Sequence, residues 1–436
     1  MNPLLVSLIL PLSVPALASS QPQCTWGLPR HPFPVQHLHH PFCPSPYPTT
    51  TKPIPPWTHN PYCINTSSSS SPPWCVFTNA ALPSHSHNPH GLSIITTPDL
   101  ASTLFSNLTS ARLDAAYTQP PPPDRLFLEK PYAVIPIAGK GMGAVATRRI
   151  QREKVVMVDL AAVLATVDYP ADVAERDVRE LLRVAVERLG DVEGVMGLAR
   201  RGLGDLELTV EEDVIGTNSF QLSVAERGYL GLFPEVSRIN HACKPNAHIH
   251  FSETTLAMTV WSARDIEAGE EITISYAGVD LPSVPRREML SSTWGFDCSC
   301  SLCTAPETER KASDDRRLAF HKLRSQALNL AQEGKYKDAA KRLKELLRVV
   351  DEEGLEPFIG DLYELPARVH YQAGDLETAR KYFEKCMVHL QKWAVPGPEE
   401  EQSLENVREI LARLEVEMRE RKTSKTKPQV YLGNKT

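Results

Sequence analysis

Proline is spread so unevenly that it divides the chain before any motif is considered. Of 37 prolines, 24 fall within residues 1–125. A residue without an N–H and with φ held near −65° keeps such a stretch out of helix interiors and central strands. Charge is skewed the opposite way, since residues 1–110 carry only Arg30, Lys52 and Asp99. The expectation is a weakly charged, proline-rich leader over residues 19–123, closed by the stiff run Pro120–Pro123, with a folded domain starting at residue 124. The whole chain has 436 residues, 42% hydrophobic and 23% charged, which suits two or three globular units. A net charge of −6 offers no basic excess for nucleic acid. No apolar run approaches the roughly 18 residues that span a bilayer.

The first residues carry a processing signal. Leu4–Leu12 is a short apolar run, and Ala16-Leu17-Ala18 has the small-x-small pattern of a signal-peptidase site, so residues 1–18 are expected to be cleaved after Ala18. Cys24, Cys43, Cys63 and Cys75 then form an even set suited to two disulfides in a secreted segment, with all three pairings open. Asn65-Thr66-Ser67 and Asn107-Leu108-Thr109 are glycosylation sequons. His31, His37, His39 and His40 belong to a solvated low-complexity tract rather than a metal site.

Beyond the leader the periodicity alternates between two kinds. Tyr132–Ile135, Gly143–Ala146 and Val155–Val158 are short strand-type runs broken by glycine. Ala174, Val178, Leu181, Leu182, Ala185 and Leu189 recur at three- and four-residue steps and predict one amphipathic helix over 171–189. Strand signals return at His248–Phe251, Leu256–Trp261 and Glu271–Tyr276; in the last, Ile272, Ile274 and Tyr276 share one face. Helical periodicity then runs from an N-cap at Ser313 to about Arg421, leaving 422–436 as a tail. Gly334 with Ala339 and Gly374 with Ala379 repeat at a 40-residue offset, as in tetratricopeptide helix pairs of expanded length or in an unrelated helical bundle.

Three clusters carry chemistry. Gly139-Lys140-Gly141-Met142-Gly143 sits between two strands, where glycine lets a ligand approach the backbone. No long helix follows it, so it is not a nucleotide-phosphate loop. Arg238–Asn246 gathers Asn240, His241, Cys243 and Asn246 in a segment stiffened by Pro245, just before a strand. The third cluster runs from Glu270 to Tyr276 and on through Trp294 to Cys303. Cys298, Cys300 and Cys303 are three thiols within six residues, a metal-site spacing, and Cys243 supplies the fourth ligand of a structural zinc. Disulfides among these four remain the alternative, and Cys386 is left as a buried thiol in a helical pattern.

These motifs, with Asn218-Ser219-Phe220, resemble in kind and order those of SET-domain protein lysine methyltransferases, particularly the SET/MYND branch, over about Lys130–Cys303. The resemblance implies a multi-domain α+β protein: a mostly β SET fold with a pseudoknot, in which the Asn240 segment threads beside the Tyr276 strand, then tetratricopeptide-like helical repeats. By the same resemblance S-adenosylmethionine is the cofactor, held by Lys140, Gly141, Met142, Asn218, Asn240, His241, Tyr276 and Phe296, and Tyr276 is the catalytic tyrosine. The substrate is a protein lysine, and the C-terminal helices would take a protein partner. The alternative is a SET fold without catalysis that scaffolds partners through those helices. Three features depart from the family. The MYND zinc finger is absent and the 171–189 helix occupies the insert; Ala242 follows the histidine; and Trp294 stands where relatives place a channel tyrosine. The compartment is pulled two ways, because the leader points to secretion while the cofactor and zinc thiolates suit the cytoplasm or nucleus.

Overall fold

The computed structural model describes residues 53, 56–64, 72–80, 90–107, 130–167, 173–201, 208–224, 226–253, 255–393 and 398–425. The signal segment, Cys24, Cys43, the histidine tract, the Asn65 sequon and Pro120–Pro123 lie outside the described residues.

The leader is not an appendage. Strands β1 (Tyr62–Ile64), β2 (Trp74–Asn79) and β3 (Leu92–Thr96), followed by helix α1 (Pro98–Asn107), join the main sheet of the molecule. Every residue of β2 and β3 is buried. The expected boundary at residue 124 is therefore corrected, and the fold takes in the described residues from Trp57 onward. Proline counted over a long window masked two short apolar runs, Val76-Phe77 and Ile94-Ile95, that need no charge because both their faces are covered. Cys63 bonds to Cys75 across the β1–β2 ladder, which selects one of the pairings left open.

The hairpin of β4 (Tyr132–Ile137) and β5 (Gly141–Ala146) comes next, then β6 (Val155–Leu160) and β7 (Val163–Thr166). Helices α2 (Glu175–Glu187), α3 (Val192–Met196) and α4 (Val210–Asn218) form the insert. Thr209 and Glu212 cap α4 reciprocally, satisfying two donors at its N-terminus. Strands β8 (Phe220–Val224), β9 (Arg227–Leu232), β10 (Asn240–His241), β11 (Ala247–Ser252), β12 (Ala257–Ser262) and β13 (Thr273–Ile274) complete the β region.

The main sheet has the order β1-β2-β3-β7-β9-β8, with only β3–β7 parallel. It lies between two apolar layers. Val76, Ile95, Val163 and Leu232 face Leu181, Leu182, Ala185 and Leu189 of the helical insert. Ile94, Leu164 and Tyr229 face the layer holding Met157, Met258 and Val260 of the sheet β11-β12-β6. Neighbours on one strand thus serve opposite cores, as the two-residue side-chain period requires.

β13 is shorter than expected. Ile272 and Ile274 are buried, but so is Thr273, because Asn246 Oδ1 accepts its backbone N–H at 2.8 Å. The alternation of one buried and one solvated face therefore fails there.

The C-terminal region is helical: α5 (Ser283–Trp294), α6 (Ser301–Thr304), α7 (Glu307–Gln332), α8 (Tyr336–Glu353), α9 (Glu364–Gln372), α10 (Leu376–Trp393) and α11 (Pro398–Lys425). Ser313 is not an N-cap. It lies inside α7, buried, and donates its hydroxyl proton to Glu353. The last helix also continues past Arg421, into what was expected to be tail. Gly334 and Gly374 end α7 and α9 with φ of 73° and 77°, and Ala339 and Ala379 are fully buried in the helices that follow.

Candidate functional site

The site is built where β10 runs parallel to β13, with Asn240 opposite Thr273 and His241 opposite Ile274. Two residues of ladder are little, and side chains hold the pairing. Besides accepting from Thr273, Asn246 donates to the Glu271 carbonyl at 2.9 Å and to Glu270 Oε1 at 3.0 Å. Asn240 Nδ2 donates to Glu271 Oε1 at 3.0 Å and to the Met142 carbonyl at 3.2 Å. Glycine at 143 makes the second contact possible, since a Cβ there would lie 2.6 Å from Asn240 Nδ2. Lys140 Nζ donates to the other Glu271 oxygen at 2.6 Å. Glu271 therefore joins Lys140 to Asn240. Sequence reasoning assigned it no role, although it stands in the quoted run.

His241 links two centres. Its Nδ1 accepts the Tyr276 backbone N–H at 3.0 Å, which places the ring proton on Nε2, 3.3 Å from Cys243 Sγ. Burial pulls His241 down to about 4, so the ring is neutral near pH 7. Tyr276 donates its hydroxyl proton to the Ile239 carbonyl at 2.7 Å, and burial holds the phenol above its ordinary range. Its ring lies against Trp294 at 5.2 Å, His241 at 5.4 Å and the edge of Phe296 at 6.4 Å between centroids. Trp294 is oriented by donating its indole N–H to the Thr217 carbonyl at 3.1 Å.

Asn218 is placed differently from the other expected residues. Its amide donates to the carbonyls of Ala199 and Val214, both at 2.7 Å, so the side chain is spent on holding the end of α4. Its own carbonyl accepts from Ser237 Oγ at 3.1 Å, which ties the insert to the segment leading into Asn240. Gly141 has φ of 73° with open space where a Cβ would stand, leaving the backbone beside Met142 accessible.

Cys243, Cys298, Cys300 and Cys303 converge with all four Sγ atoms within 4.8 Å of one another. Cys243 Sγ lies 3.8 Å from that of Cys298 and 3.5 Å from that of Cys303. A disulfide needs about 2.05 Å, so the four are free thiols. Zn–S bonds of about 2.3 Å in a tetrahedron put sulfurs about 3.8 Å apart, and the donor set fits. Hydrogen bonds from Cys243, Cys298 and Cys303 pull Cys300 well below the thiol range, while those with Cys298, Cys300 and Cys303 push Cys243 up. Cys386 is a buried thiol in α10, away from this group.

A cleft of 640 Å³ opens beside the Tyr276 segment. Ser275 and Ala277 line it with His248 and His250 of β11, and Phe358 and His389 close it from the helical side. It joins segments more than 100 residues apart, so no local sequence signal marks it.

The family description "SET domain" matches residues 141–277. The chain is 38% identical over 99 residues to human "Histone-lysine N-methyltransferase SMYD3", covering 22% of each chain. It is 44% identical over 80 residues to "Potential protein lysine methyltransferase SET6" of Saccharomyces cerevisiae, covering 18% of this chain and 21% of that one. It is 39% identical over 114 residues to mouse "Protein-lysine N-methyltransferase SMYD4", covering 26% and 13%. The chain thus spans about a fifth or less of the length of these three curated relatives. Residues 141–277 are a SET domain, set in a chain whose curated relatives carry the names of protein lysine methyltransferases.

Proposed function

We propose that the protein transfers a methyl group from S-adenosylmethionine to a lysine side chain of a protein substrate. The observation that carries this reading is the Tyr276 hydroxyl. It is neutral, anchored by the proton it gives to Ile239, and enclosed by Trp294, His241 and Phe296. With its proton committed, its lone pairs remain to accept from an amine N–H and to aim the nitrogen lone pair. S-adenosylmethionine supplies an electrophilic methyl on a sulfonium when bound. Lys140 and Glu271 offer the charges that match the carboxylate and ammonium of its amino-acid end, and Asn240 and the Met142 backbone border the same place.

The amine must be neutral to attack. Deprotonating a lysine of pKa about 10.4 at pH 7 costs about 4–5 kcal/mol, and a desolvated aromatic channel lowers that cost by disfavouring the ammonium. The cleft beside Ser275 and Ala277 is where the substrate segment lies in this reading. The four cysteines hold a structural zinc that pins the segment after Trp294 against β10. The helix pairs α7–α8 and α9–α10, with their repeated glycine and alanine, act as tetratricopeptide-like partner-binding units. The Cys63–Cys75 bridge supports secretory passage and the four free thiols run against it; sequencing the mature N-terminus of the native protein decides between them.

Tyr276→Phe is the test. It keeps the ring packing and removes only oxygen, so thermal unfolding and S-adenosylmethionine affinity should stay within a few fold while transfer of labelled methyl to extract proteins is mostly lost. Equal transfer by both forms refutes the role of Tyr276. Tight cofactor binding with no transfer by either form favours the scaffold reading.

A further inference from the structure

Two arginines are buried beside the four cysteines, and between them they have one buried carboxylate, Glu353. Arg286 of α5 and Arg317 of α7 are each about 1% exposed. Both donate to the Leu281 carbonyl, Arg286 Nη1 at 2.5 Å and Arg317 Nη1 at 3.2 Å. Arg317 also donates Nη2–H to the carbonyl of Cys243 at 3.0 Å and Nε–H to Glu353 Oε1 at 2.9 Å. Arg316, more exposed, takes the other Glu353 oxygen at 2.7 Å. Among the described residues no carboxylate pairs with Arg286, and its Nε finds no hydrogen-bond partner. Its charge acts on Cys243 and Arg317. Arg287 and Arg310 reach the Cys303 carbonyl as well, at 3.3 and 3.4 Å.

Arg286, Arg317 and the one buried carboxylate, Glu353, leave a surplus of one positive charge in the interior, with the partly exposed Arg316 at its edge. Four neutral thiols would leave that surplus uncompensated in the interior, which is costly. Four thiolates around a dication carry two negative charges and offset it. The sign of the arginine charge thus suits a four-thiolate metal centre.

We propose that Arg286 and Arg317 are the counter-ions of the four-cysteine metal centre, and that through Arg317 the centre's charge clamps helices α7 and α8 onto the SET domain. Arg317 is the joint: one guanidinium touches the backbone of a cysteine ligand, the turn before α5 and the last residue of α8. Metal loading and docking of the C-terminal helices are then one event. The proposal rests on the zinc reading above, and its test separates the two.

The experiment uses the full chain and zinc itself, with affinity read by competition against a chromophoric chelator. Arg286→Met and Arg317→Met should bind zinc roughly 10–100-fold more weakly, the range for residues that support metal ligands from outside. Arg317→Lys, which keeps the charge without the fork, should fall between these and wild type. Arg324→Met, also in α7 but breaking only an exposed pair with Asp361 in the segment before α9, should match wild type. In wild type, chelation should speed amide exchange in α7 around Ser313–Arg317 and at the end of α8. Wild-type zinc affinity in both methionine variants overturns the counter-ion role, and unchanged exchange on chelation overturns the clamp. Should the methionine variants fail to fold, the exchange experiment decides on the unaltered chain. A wild-type protein that takes up no zinc refutes the metal reading first and this proposal with it.

Discussion

Ile94→Ala tests whether the proline-rich N-terminal part belongs to the fold. Ile94 is fully buried in β3, opposite Phe77 on one side and Leu164 of the SET region on the other. Truncation to alanine removes three carbons, about 0.8 kcal/mol each in transfer free energy, or about 2.5 kcal/mol. A central strand held by ladders on both sides cannot collapse into the space left, so a cavity contribution brings the loss to about 3–4 kcal/mol. For a unit of this size each kcal/mol lowers Tm by roughly 2–4 °C, giving a fall of roughly 6–16 °C. The assay is urea unfolding of the full chain followed by tryptophan fluorescence, with a thermal melt beside it. Val158→Ala is the control, because Val158 is 40% exposed on β6 and its truncation should cost no more than about 0.5 kcal/mol. A loss below about 1 kcal/mol for Ile94→Ala would refute the assignment of β3 to the core and restore the boundary at residue 124.

Asp159 gives a pH test. It is buried, accepts the backbone N–H groups of Glu235 at 2.6 Å and Val236 at 3.0 Å, and is raised by burial from 3.8 to about 7. A carboxyl raised in the folded state contributes stability that is complete below about pH 4 and lost as pH rises through 7. Urea unfolding should show wild type losing at most about 4 kcal/mol over that window relative to Asp159→Asn, whereas parallel curves would remove Asp159 from the pH dependence. Replacing both Cys63 and Cys75 by serine opens a loop closed across 12 residues and should cost about 2–3 kcal/mol. Equal urea midpoints for the two forms would show that the bridge adds nothing.

The legible parts of this protein are those whose signal is local. Strands β4, β5, β6, β11 and β12 and helix α2 stand in runs that carry their own period, and the structure places them within a few residues of expectation. The cysteine set was legible because three thiols in six residues have few other uses, and Cys243 was the candidate left to close it. Asn240, His241 and Tyr276 were legible as a group and do lie side by side, although the bonds that join them run through backbone atoms of Ile239, Met142 and Tyr276. Asn218 was named for the cofactor, yet its amide is spent on α4. Ser313 showed a cap residue's chemistry but sits buried against Glu353, 40 residues away.

By itself the sequence determined strands β4, β5, β6, β11 and β12 and helix α2, which four thiols can share a cation, and which tyrosine follows a buried strand. These follow from side-chain period, spacing and residue chemistry, which act over a few residues. Only the tertiary structure decided that β2 and β3 complete the SET region's sheet, that Glu271 joins Lys140 to Asn240, and that Arg286 and Arg317 lie beside the cysteines. Each of these is a pairing across distant sequence. A strand covered on both faces carries no alternation to announce it, and a buried arginine looks like a surface one until the group it neutralises is folded against it.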